Sequence, residues 1–150
     1  MPRSGVRGFS PAALRRLRSS ARLSLEELGD LAGISPQAIS TWETGRIRPS
    51  PGMLAAVAAA LRVSVADLAP IPEGDLRLSD LRFQAGLTQA DVAAALGVGS
   101  SRISDIDRGR RPVDDDTVAA LAALYKVSPE LLQVVWQRTV DARATRLQNR

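Results

Sequence analysis

The chain of 150 residues has no cysteine and no histidine. Without cysteine there is no disulfide and no thiolate metal site. Without histidine the usual general base, the pH switch and the commonest metal ligand are missing too. Aromatic residues make up only 3% of the chain against 45% apolar residues. Any core must therefore be built from Leu, Val, Ile and Ala, a set that favours helices. No run approaches the ~18 to 20 apolar residues of a membrane span. The opening "MPRSGVRGFS" carries positive charge, but the apolar segment of a signal peptide does not follow it. A cytoplasmic protein is the plain expectation. Catalysis would fall to Asp, Glu, Lys, Tyr, Ser or Thr, and no pairing among them makes a nucleophile with its base. No enzyme, cofactor or metal is expected.

What is present is arginine. It supplies 19 of the 20 cations, and the formal charge is +4 with a pI near 10.8. A basic, Arg-rich chain points toward polyanions, although an Arg- and Ala-rich genome gives the same composition.

The chain also repeats itself. Residues 14–68 lie over 78–132 without a gap, and "LRRLRSSARLSLEELGDLAGISPQAISTWETGR" falls on "LSDLRFQAGLTQADVAAALGVGSSRISDIDRGR". Of 55 aligned positions 17 are identical, among them Leu14/Leu78, Arg18/Arg82, Gly33/Gly97, Ile39/Ile103, Ser40/Ser104, Gly45/Gly109 and Val63/Val127. Shared alanine inflates such a count but cannot place glycines in register. Two copies of one unit are expected, over residues 1–70 and 71–150, joined through "APIPEGD" at 69–75.

Start and stop signals divide each unit into five short helices, so the expected fold is all-α. In the first, Ser10-Pro11, Ser24 with Glu27, Ser35-Pro36, Ser50-Pro51 and Ser64 with Asp67 open helices, and Gly33 and Gly45 close two of them. The second unit repeats the signals with Thr88/Asp91, Gly97, Gly109, Asp114 and Ser128-Pro129. Asp115 and Asp116 fall in a first turn, where negative charge suits the helix dipole, so the Asp114–Asp116 run reads as a helix start and not as a metal site. Helix five of the second unit continues through Leu132, Val135, Trp136 and Val140 at helical spacing, after which Arg143, Arg146 and Arg150 take over.

The turn glycine, "IS" and "WETG" at these spacings resemble the lambda-repressor-like helix-turn-helix domain of phage Cro proteins and many bacterial regulators. The second copy, "LTQADVAAALGVGSSRISDIDRGRRP", is similar to it as well. The resemblance covers about residues 10–132 and implies that helix three of each unit is a recognition helix for duplex DNA. Such a helix seats one apolar stripe on its domain and turns the opposite stripe to base edges. In the first unit Ile39 and Trp42 form the seat. Pro36, Gln37, Ala38 and Thr41 are the candidate base readers, with Gln37 suited to adenine and Ala38 to a thymine methyl. Thr44 lies toward the DNA backbone, and Ser40 is either a helix-facing hydroxyl or a phosphate donor. In the second unit the aligned readers are Ser100, Ser101, Arg102 and Asp105, and Ser104 is the partner of Ser40. Arg102 suits guanine or a phosphate. Asp105 can accept from cytosine but otherwise brings negative charge to a polyanion, unless an arginine neutralises it.

Phosphate contacts are implied for Arg46 and Arg48 after helix three, and for Arg108, Arg110 and Arg111 in the second unit. Arg3 and Arg7 would form an N-terminal arm. The family's phosphate-binding glutamine at the start of helix two is matched by Gln89, whereas Leu25 stands there in the first unit. Arg18 with Glu43, and Arg82 with Asp107, resemble the ion pair that ties helix one to the end of helix three. Residues 1–70 carry 9 arginines and 5 acids, whereas 76–132 carry 7 cations and 8 acids. The first unit has the favourable field and the second has the glutamine.

The expectation is a sequence-specific regulator of transcription, a repressor in its simplest form, with duplex DNA as partner and no small-molecule ligand. A homodimer through the C-terminal helix is compatible with its apolar stripe. Two other classes remain open: a protein-interaction module in which one unit has lost DNA, and an antitoxin or phage-immunity component.

Overall fold

The structure, a computed structural model, describes residues 5–150, so Arg3 lies outside the described residues. All regular structure among them is helical, in ten α-helices and one 3-10 turn at Glu73–Asp75. The chain divides into two compact units, the first ending at Pro72 and the second beginning at Glu73.

The first unit contains α1 (Pro11–Ser20), α2 (Leu25–Ala32), α3 (Pro36–Glu43), α4 (Pro51–Leu61) and α5 (Val65–Leu68). Each opens on a serine whose hydroxyl accepts a backbone N–H three residues on: Ser10 from Ala13, Ser24 from Glu27, Ser35 from Ala38, Ser50 from Met53 and Ser64 from Asp67. The Glu27 and Asp67 carboxylates accept in return from the Ser24 and Ser64 N–H groups. Each cap stabilises by about 1 kcal/mol. That matters because helices of 4 to 11 residues do not persist alone.

The second unit contains α6 (Leu78–Gln84), α7 (Gln89–Leu96), α8 (Ser100–Asp107), α9 (Asp115–Tyr125) and α10 (Pro129–Gln148). Its caps are more varied. Thr88 and Asp91 form a reciprocal box, Asp114 caps α9 from the Thr117 N–H, and Gly99 offers α8 no side chain at all. The Asp114–Asp116 run is thus a helix start. The fifth helix and the tail are one element of 20 residues.

The two cores are built from the same positions, 64 residues apart. Leu14, Leu28, Ile39, Trp42, Leu54, Val57 and Leu68 are buried in the first unit, and Leu78, Val92, Ile103, Ile106, Val118, Leu121 and Leu132 in the second. What closes each core differs. In the first unit the segment before α1 folds back: Val6 and Phe9 are buried, and the Val6 N–H donates to the Pro49 carbonyl at 3.0 Å. In the second unit α10 has this task. Its Thr139 hydroxyl accepts the Leu78 N–H at 3.2 Å, and Arg138 donates to the Glu73 and Leu76 carbonyls at 2.7 and 3.2 Å. No single helix among the described residues is long and apolar enough to cross a membrane. The apolar pair α9 and α10 is bent by 107°, and its large side chains Leu121, Tyr125, Leu132 and Val135 are buried in the core.

The repeat contains its own backbone experiment. Arg22, just past α1, has φ 58°, a left-handed conformation that costs an L-residue about 1–2 kcal/mol. The equivalent position after α6 is Gly86, with φ 74°. Glycine in the unfolded chain offsets part of the relief. We expect Arg22→Gly to stabilise the first unit by about 0.5–1 kcal/mol, seen as a higher urea midpoint at unchanged slope. A lower midpoint would show that the Arg22 side chain contributes more than its backbone strain removes.

Candidate nucleic-acid interface

Helix α3 is short because a proline start and a left-handed Gly45 (φ 78°) bracket it. It is joined to α2 by the turn at Gly33, whose φ of 71° lets the chain reverse within three residues. Ile39, Trp42 and Glu43 face inward and are buried. Outward lie Gln37 and Thr44, both exposed, with Thr41, Ala38, Pro36 and Ser40 half-buried. Gln37, Thr41 and Thr44 fall within about 60° of one another around the helix. The Thr41 hydroxyl donates to the Gln37 carbonyl at 2.8 Å and the Thr44 hydroxyl to the Thr41 carbonyl at 3.0 Å. Their protons are engaged by the helix itself, which leaves each hydroxyl oxygen able to accept. Arg46 and Arg48 are exposed in the loop that follows.

Below this face an ion pair holds α3 to α1. Arg18 donates from Nε to Glu43 Oε2 at 2.6 Å and from Nη2 to Oε1 at 2.9 Å, while Nη1 donates to the Leu23 carbonyl at 3.0 Å. The Glu43 hydrogen bond raises the Arg18 pKa still further above its ordinary value, against the cost of burial. Arg15 adds a longer contact, Nε to Glu43 Oε1 at 3.7 Å. Arg15 is not among the residues singled out from the sequence, although its spacing of three from Arg18 places both on one face.

The second unit carries the same device with a shorter acid. Arg82 Nε donates to Asp107 Oδ2 at 2.9 Å, and Nη1 to the Leu87 carbonyl at 3.0 Å. One methylene less than glutamate leaves the fork unfilled, and buried Asp107 Oδ1 has no partner. Burial pushes the Asp107 carboxyl above the usual aspartate range, with Arg82 and then Gln89 pulling it back. Gln89, implied as a phosphate contact, is turned partly inward. It is half-buried, and its amide donates to Asp107 Oδ2 at 3.3 Å. One of its two amide protons is therefore engaged by the ion pair. Arg7, implied as part of an arm, lies half-buried in the folded segment that precedes α1. From Val6 onward that segment is not a loose arm, because Val6 and Phe9 anchor it in the core.

On α8, Ile103, Ile106 and Asp107 are buried, Ser100, Ser101 and Arg102 are exposed, and Ser104 and Asp105 are half-buried. Arg102, Asp105, Arg110, Arg111 and Pro112 come together around an open depression of about 510 Å³. Arg110 approaches Asp105 at 3.8 Å, so this acid on the outer face of α8 has an arginine beside it. Arg108 is exposed beside them. Among the described residues no group of three acids is placed to hold a metal ion.

A model of the helix-turn-helix domain matches residues 12–71 and again residues 76–135. The HTH-type transcriptional regulator ImmR of Bacillus subtilis (strain 168) is 39% identical over 56 residues, which are 37% of this chain and 44% of that protein. The alignment thus spans less than half the length of that relative. No solved structure gives a significant match.

Proposed function

The chain belongs to the helix-turn-helix domain family in both of its units, and from that premise we propose that it is a transcriptional regulator reading duplex DNA with α3 and α8. The observation that carries this reading is the face of α3. Gln37, Thr41 and Thr44 form one polar stripe, opposite Ile39 and Trp42 and followed by exposed Arg46 and Arg48. A helix of that build fits the major groove, with phosphates gripped at its end. Pro36, Gln37, Ala38 and Thr41 read bases in the first unit, and Ser100, Ser101, Arg102 and Asp105 in the second. Ser40, Thr44, Arg46, Arg48, Gln89, Ser104, Arg108, Arg110 and Arg111 meet the backbone.

Two unlike readers on one chain suit two adjacent half-sites that are not palindromic. The simplest action is repression by occluding a promoter, in the cytoplasm, without cofactor or catalysis. The name of ImmR supports regulation of transcription. A homodimer through α10 would double the readers. With Leu132 and Val135 buried in their own unit, that reading rests on exposed Val134 and Leu147. Exposed Leu31, Ile47 and Met53 in the first unit favour the rival reading, in which this unit binds a protein.

Selection from a random duplex library with the intact chain tests the proposal. Enrichment of a motif in two parts is the expected result. A motif in one part assigns reading to one unit alone, and no motif above a salt-sensitive background sinks the reading.

A further inference from the structure

Helix α10 changes character along a single stripe. Successive residues are about 100° apart, so Leu132, Val135, Thr139, Arg143 and Arg146 fall within about 80° of one another. Leu132 and Val135 are fully buried and Thr139 is half-buried against Leu78. Arg143 is half-buried and Arg146 exposed, and Arg150 follows just after the cap at Asn149. The stripe that begins as core ends as arginine.

The change occurs where α10 passes the turn that follows α8. Gly109, the turn residue after α8, lies against the α10 backbone so closely that a Cβ there would stand 3.0 Å from Val140 Cα. Arg143 and Arg146 continue about 4.5 and 9 Å further along the axis, past a turn that carries exposed Arg108, Arg110 and Arg111. None of the ion pairs among the described residues involves Arg143 or Arg146. A helix C-terminus favours Arg146 by its dipole, but that effect fades within one turn and does not account for Arg143. Arg138, by contrast, is held by the Glu73 and Leu76 carbonyls and is structural.

We propose that Arg143 and Arg146 are a second phosphate clamp, extending the backbone-binding surface of the second unit beyond the turn after α8. The partner is the sugar-phosphate backbone of duplex DNA, flanking the base pairs that α8 faces. This rests on the DNA-reading proposal above. The charge fits that role: residues 76–132 carry 7 cations and 8 acids, whereas 133–150 carry 4 arginines and one acid. The tail returns to the second unit the positive field that its domain lacks.

The test is the salt dependence of duplex binding by the intact chain, by Arg143→Ala/Arg146→Ala, and by Arg143→Lys/Arg146→Lys. Each phosphate contact contributes about 0.9 to the slope of log affinity against log salt. The alanine variant should lose about 1.8 of slope and keep the same selected motif. Between 50 and 200 mM salt the parent chain then weakens roughly tenfold more than the variant. The lysine variant should retain the slope. An unchanged slope in the alanine variant overturns the clamp while leaving the DNA reading intact. A shift of self-association in sedimentation, with the slope unmoved, also overturns it and makes the stripe a dimer contact. Absence of duplex binding by the parent chain would overturn both proposals together.

Discussion

Arg82→Ala is expected to destabilise the second unit by about 3–5 kcal/mol, the cost of leaving a buried charge without its partner. A domain of this size has about 5–15 kcal/mol in total, so the unit should be largely unfolded at modest urea concentrations. Both side chains are almost fully enclosed, 7% exposed for Arg82 and 5% for Asp107. The guanidinium also donates to the Leu87 carbonyl and lies 4.5 Å above the Phe83 ring. Without it Asp107 would keep only the Gln89 amide, beside a Tyr125 hydroxyl that is itself buried and unpartnered. The pH dependence has a definite sign. A carboxyl raised above its ordinary value holds its proton more tightly folded than unfolded, so the folded state gains as pH falls toward the unfolded aspartate value of about 3.9. Arg82→Ala should therefore recover part of its loss in acid. Joint replacement, Arg82→Met with Asp107→Leu, should come close to the parent because it removes both charges. Urea melts of Arg82→Met, Asp107→Leu and the pair complete the cycle. A single variant that loses less than about 1 kcal/mol would mean that water reaches Asp107 and the burial is only apparent.

The sign is opposite at the helix caps. Glu27, Asp91 and Asp114 accept hydrogen bonds at helix starts, and their carboxyls are held below the ordinary range. Stability from these groups is present above the usual carboxylate pKa and is lost as pH falls through the lowered values. Acid thus weakens the caps while relieving Asp107.

The residues that were legible in the sequence act locally. Ser10, Ser24, Ser35, Ser50 and Ser64 cap helices by bonding three residues ahead, and Gly33 and Gly97 turn the chain by themselves. Neither needs a distant partner, so both leave a signal in a short window. The repeat then placed the cores, since Leu14 and Leu78 are buried for the same reason in the same frame. What stayed hidden depends on groups far apart in the chain. Gln89 turns inward to Asp107 Oδ2, the oxygen that Arg82 also holds, which only the assembled ion pair reveals. The apolar spacing in α10 was visible, but its seat against Leu78 and Gly109 joins residues some 30 to 60 positions apart. Val6 and Phe9 are two apolar residues without a period, and nothing local indicates that they close the first core. Arg22 adopts a glycine conformation with no glycine to mark it.

On the DNA-reading proposal, Gln37→Ala and the pair Arg46→Ala/Arg48→Ala should fail in different ways, and the difference separates reading from gripping. A bidentate glutamine–adenine contact is worth about 1–3 kcal/mol against a wrong base. Gln37→Ala should thus cost roughly 5- to 150-fold at one base pair of the selected motif, at 1.4 kcal/mol per factor of ten, with the salt slope unmoved. The arginine pair lies past the helix, where phosphates are expected. Its loss should weaken every duplex alike and lower the salt slope by about 1.8, leaving the motif unchanged. Thr41 sharpens the contrast. Its hydroxyl proton is already donated to the Gln37 carbonyl, so it can accept from an adenine or cytosine amino group but not donate to a guanine. Thr41→Val keeps the γ-methyl and replaces the accepting hydroxyl with a second one. It should lose preference at one position only, the neighbour of the base pair that Gln37→Ala relaxes. If Gln37→Ala instead weakened all duplexes equally, α3 would be lying along the backbone and the bases would be read elsewhere. Measured affinities for the selected site and its single-base variants, at two salt concentrations, decide between those geometries.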